Sequence, residues 1–127
     1  MSAKTSKQQY HPAELAELIG KLSLSKRAER VLSIDVRGLT SLTDFFVICS
    51  AETNIQVKAI ADAIRKGTAT KPWHIEGYAM QQWILLDYVD VVVHIFLNSV
   101  RDFYLLEKLW ADAPIKEIID EVESKTD

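Results

Sequence analysis

A chain of 127 residues with 48% hydrophobic side chains has the apolar surface to build one domain with a core of its own. A net charge of −3 and a pI near 5.6 exclude a protein whose main work is gripping a phosphate backbone, because that needs a clustered excess of Lys and Arg; a basic protein partner suits the balance better. The lone Cys49 cannot close an internal disulfide and reads as a small buried residue in a reducing cytoplasm, and no apolar run is long enough to cross a bilayer.

Residues 1–11 read as a disordered tail, since they offer little apolar surface to offset the entropy of ordering. The polar stretch from Ser2 to Gln9 has no signal-peptide core and no Arg. Pro12 can open a helix, and Leu15, Leu18, Ile19 and Leu22 follow the spacing of one buried helical face. Arg30 to Val36 and Asp44 to Ser50 read as strands connected through Gly38. Thr53 with Gln56 forms a capping-box pattern before a helix striped by Val57, Ile60, Ala61 and Ile64, which ends at Gly67 in a solvated, dipole-favoured Arg65 and Lys66. A short strand spans Trp73 to Glu76, and Gly77 ends it. After the hairpin strands, Ser99 with Asp102 opens a helix expected to reach Trp110, its Tyr104 and Trp110 packing against the sheet. Pro114 starts a last amphipathic segment bearing Ile115, Ile118, Ile119 and Val122. The organisation expected is a tail (1–11), a single domain (12–113), and a C-terminal helical segment with its tail (114–127). Helices alternating with five strands specify an α/β domain, a single sheet flanked by helices.

The densest information lies in Trp83-Ile-Leu-Leu-Asp-Tyr-Val-Asp-Val-Val-Val-His-Ile-Phe96, two β-rich runs meeting at a break short enough only for a hairpin. Strand alternation puts Trp83, Leu85 and Asp87 on one face with Val92, His94 and Phe96, whether the turn is centred on Tyr88-Val89 or Val89-Asp90. Ile84, Leu86, Val91, Val93 and Ile95 form the other face, uniformly aliphatic and therefore core. An aromatic beside an acid and an imidazole has the composition of a protein-binding hot spot, although Trp83 as core, and His94 bonded to Asp87 diagonally across the hairpin, are the plainer alternatives.

Leu-Asp-Tyr-x-Asp-Val-Val-Val-His-Ile-Phe, followed by Ser99, Tyr104 and Leu106-Glu-Lys-Leu-Trp110, closely resembles the ribosomal silencing factor family, also called Iojap or RsfS. Ile34-Asp-Val-Arg-Gly38, Leu42-Thr-Asp-Phe-Phe-Val-Ile48 and Ile75-Glu-Gly77 match the family in the same order, so the resemblance covers roughly residues 13 to 113. One departure is Val89, where the family usually has Gly; a β-branched residue suits the positive φ of a primed hairpin turn poorly, which leaves the turn geometry open. The resemblance implies a mixed five-stranded sheet flanked by helices, similar to a degenerate nucleotidyltransferase fold. It also implies a cytoplasmic, non-enzymatic factor that binds the large ribosomal subunit through its fourteenth protein, blocks subunit joining, and represses translation when nutrients are scarce.

Nucleotidyl transfer needs a Gly-Ser loop for the triphosphate and paired carboxylates for Mg²⁺. Asp44 is instead followed by Phe45 and Phe46, and no phosphate-cradling glycine pattern occurs. His11, His74 and His94 show no metal-ligand spacing. No cofactor, metal, membrane contact or sequence-specific nucleic-acid binding is expected. The expected partner contacts are Trp83, Asp87 and His94, with Glu76, Leu85 and Tyr88 beside them. The alternatives are a divergent nucleotidyltransferase using Asp44 with Asp87 or Asp90, and a module that homodimerises through the same hairpin face.

Overall fold

The computed structural model describes residues 10–104, 108 and 110–120. Helix α1 (Pro12–Leu24) begins where Pro12 fixes the first helical φ, and the Glu14 carboxylate accepts from the His11 amide at 3.3 Å. It buries Leu15, Ala16 and Ile19. Tyr10 packs against the same core, so the tail expected over 1–11 stops short of it; residues 1–9 lie outside the described residues.

Strands β1 (Glu29–Asp35) and β2 (Phe45–Ala51) pair antiparallel, with a bulge between Glu29 and Leu32 at which Arg30 takes φ 50°. Helix α2 (Asn54–Gly67) follows. Thr53 caps it by accepting from the Gln56 amide at 3.2 Å, but the Gln56 side chain reaches the carbonyls of Lys26 and Arg27 rather than back to Thr53. The sequence pattern thus delivers half a capping box, and its other half ties α2 to the turn after α1. Val57, Ile60, Ala61 and Ile64 are fully buried.

Strand β3 (His74–Glu76), the hairpin strands β4 (Trp83–Asp87) and β5 (Val91–Leu97), and helix α3 (Asn98–Tyr104) come next. Gly77 sits at φ 90°, and a Cβ there would run into the Trp83 carbonyl. Only glycine fits that turn. The continuation of α3 toward Trp110, with Leu105 to Glu107, lies largely outside the described residues.

The sheet has six strands in the order β3-β4-β5-β2-β1-β6, parallel only between β2 and β5. The additional strand, β6 (Ile115–Glu117), stands where the C-terminal helical segment was expected to begin. Ile115, Ile118 and Ile119 have helical spacing, yet the open edge of β1 offers a ladder. Asp35 N donates to Pro114 O, and Ile118 N to Val31 O, each at 2.9 Å. Only Ile118 is buried, seated against Gly20 of α1, while Ile115 and Ile119 stay exposed. Val122 lies outside the described residues.

Two apolar layers flank the sheet. Helices α1 and α2 cover one face over Val47, Cys49, Ile84, Leu86, Val91, Val93 and Ile95. On the other face Ile34, Val36, Ile48, Phe96 and Ala113 pack with Trp110, Phe46 and one side of Trp83. Among the described residues that second layer lies over the β5-β2-β1 half, with Trp83 of β4 at its margin. Among them the rest of the β3-β4 half is left open.

Candidate functional site

The open half is built by register. Trp83 pairs with Phe96, Leu85 with His94 and Asp87 with Val92, so the two-residue turn is Val89-Asp90. β3 adds its own alternate residues, since Glu76 lies opposite Leu85 and His74 opposite Asp87. Because side chains alternate, Glu76, Trp83, Leu85, Asp87 and His94 all point to the face opposite α1 and α2. Tyr88 does not. It is buried on the helix side, where its hydroxyl meets Thr68 Oγ1 at 2.9 Å, and burial pushes its phenol up.

His94 is only 7% exposed, so its imidazole supports the surface from beneath. Its partner is Trp83, whose Nε1–H donates to Nδ1 at 3.1 Å, in place of the expected Asp87. Phe46 meets its ring edge-on at 5.4 Å between centroids. Burial lowers the imidazole pKa to about 4, which keeps it neutral near pH 7, with its proton on Nε2 and Nδ1 accepting. Asp87 instead accepts from the Val89 amide at 2.8 Å, closing the turn. Trp83 and Asp87 flank Leu85, the residue opposite His94, at equal distance along the strand; the Asp87 carboxylate is engaged by the turn, and the longer indole reaches the imidazole.

Trp83 is half-buried, its ring 4.7 Å from that of Phe96. Glu76 is exposed and pairs with His74 at 2.7 Å. None of β3, β4 and β5 carries a Lys or Arg. The open half therefore combines an aromatic and a leucine with two carboxylates, Glu76 and Asp87.

Burial drives the Cys49 thiol up to about 12, so no thiolate forms near neutrality. No cluster of three or more His, Cys, Asp or Glu occurs among the described residues. Among them, too, no helix is long and apolar enough to cross a membrane.

Sequence reasoning missed Phe46, Trp73 and Leu42. Phe46 joins the face only through the parallel β2-β5 pairing, a contact between distant segments that no local pattern reveals. Trp73 and Leu42, at 76% and 86% exposure, border the same face near the hairpin turn. Of the two aromatics on the helix after the hairpin, Trp110 packs as expected, 5.4 Å from Phe46, while the Tyr104 side chain lies outside the described residues.

Residues 9–127 match the family model described as ribosomal silencing factor during starvation. The ribosomal silencing factor RsfS of Halalkalibacterium halodurans is 40% identical over 108 residues, covering 83% of this chain and 92% of that protein. Its counterpart in Bacillus subtilis is 41% identical over 98 residues, covering 73% and 81%. A crystal structure of a protein from Chromobacterium violaceum superposes with a TM-score of 0.78 at 27% identity, covering 87% of this chain and 95% of that one. With motifs, fold and relatives in agreement across nearly its whole length, the chain belongs to the ribosomal silencing factor (RsfS) family.

Proposed function

We propose that this protein binds the large ribosomal subunit through the subunit's fourteenth protein and, by occupying the surface where the small subunit docks, blocks joining and represses translation under nutrient limitation. The observation that carries this reading is the open β3-β4 half of the sheet, where Trp83 and Leu85 stand between Glu76 and Asp87 without a neighbouring Lys or Arg on those strands. A half-exposed tryptophan framed by carboxylates suits the core and rim of an interface with a basic protein. The role is steric and needs no catalytic group, in keeping with a cytoplasmic repressor that is not an enzyme.

Purified large subunits in a sucrose gradient test the first step, and light scattering on adding small subunits tests the second. The protein should co-sediment with large subunits and lower the yield of joined ribosomes. Failure to co-sediment overturns the reading. A homodimer formed through the same face is checked by light scattering of the protein alone; it would compete with subunit binding as the concentration rises.

A further inference from the structure

At the turn end of the hairpin the open face deepens into a cup of about 550 Å³. Leu42, Val92, Trp73 and Val89 supply apolar wall, and Asp87 is the single charged residue among the described residues lining it. Thr43 also lines it, and it is 6% exposed. Its buried hydroxyl has no hydrogen-bond partner among the described residues. Val89 is held at φ 76° while 54% exposed. That is a strained conformation for a β-branched residue, and it places an aliphatic group at the mouth of the cup.

These features select the occupant. The cup offers the Asp87 carboxylate as acceptor and negative charge; its remaining wall is mainly aliphatic or aromatic. A group that fits must have a long apolar stem, a positive charge and several donors. Arginine satisfies all three, because its planar guanidinium spreads five donors over one fork and stacks on aromatic rings, whereas the compact lysine ammonium is more strongly hydrated. We propose that this cup receives an arginine side chain of a basic protein partner. The proposal rests on the ribosomal reading above and deepens it by naming the group that the partner inserts.

Amide and indole NMR shifts of the full chain, titrated with N-acetyl-arginine methylamide, test it, with the corresponding norleucine and lysine derivatives as controls. Arginine should move the Thr43 and Val89 amides and the Trp73 indole, lysine less, and norleucine least. Raising salt should weaken the arginine response. Asp87→Asn, which keeps an oxygen for the Val89 amide, should weaken arginine binding roughly fivefold or more by removing the charge. An equal response to norleucine, or arginine shifts that avoid the cup, overturns the proposal. Co-sedimentation with large subunits is scored separately. If subunits bind while arginine does not enter the cup, this proposal falls and the ribosomal reading stands; if arginine enters while subunits do not bind, the reverse holds.

Discussion

The Trp83 indole N–H and the His94 Nδ1 form a 3.1 Å hydrogen bond across the hairpin, linking a half-exposed residue of the open face to a buried imidazole beneath it. The bond requires an unprotonated Nδ1. It therefore makes the geometry of Trp83 depend on His94 remaining neutral.

Stability should accordingly fall with pH before the carboxylates titrate. The folded imidazole has a pKa of about 4 against an ordinary value of 6.5. Above the unfolded value neither state binds the proton, and the contribution is complete. Between it and the folded value only the unfolded chain does, so stability is lost as pH falls through this window, by at most about 3 kcal/mol. Thermal melts from pH 7 to pH 4.5 should show the decline for the parent and a flatter profile for His94→Gln. Equal slopes in the two proteins would place the proton elsewhere.

Trp83→Phe keeps a ring against Phe96 but removes the only donor seen at His94 Nδ1. Leaving that buried acceptor unbonded should cost about 1 to 2 kcal/mol, read from urea unfolding. A fully stable phenylalanine variant would show that water or relaxation satisfies the imidazole.

For Val89→Gly the expected change is a gain. Relief of a β-branched residue at φ 76° should stabilise the fold by roughly 1 kcal/mol. The more flexible unfolded chain of the glycine variant subtracts from this. A lower melting temperature would mean that the contacts of Val89 at the cup outweigh its strain.

Ile118→Ala tests β6 as part of the domain. Ile118 is 2% exposed and sits against Gly20, so the truncation should cost about 2 to 4 kcal/mol. Ile119→Ala, at an exposed neighbour, should change stability little. Similar small effects from both would return the segment to a loosely attached tail.

On the open face, Trp83→Ala should weaken large-subunit binding by roughly 2 kcal/mol or more. Asp87→Lys should slow association, most visibly at low salt, where charges are least screened. Folded variants that bind and block joining as well as the parent would move the contact surface elsewhere.

Local pattern was enough for the hairpin, because alternation and a two-residue turn leave one assignment of Trp83, Leu85 and Asp87 against Val92, His94 and Phe96. It was enough for α1 and α2 as well, whose stripes repeat at helical spacing. The motifs it contains also sufficed to indicate the family. What it could not settle depends on neighbours distant in the chain. Ile115-Lys116-Glu117 became a strand because β1 left an edge to fill, and a hydrogen-bonding edge overrides the spacing of three isoleucines. His94 bonded to Trp83 and not Asp87 because the Asp87 carboxylate closes the turn on the Val89 amide, while the Trp83 indole reaches the imidazole that Phe46 of β2 packs beside. Tyr88 turned to the helices because Thr68 waits there at the end of α2. The cup arises from three separate segments, Leu42 to Phe46, Trp73, and Asp87 to Val92, and no periodicity along one segment encodes a concavity made between them.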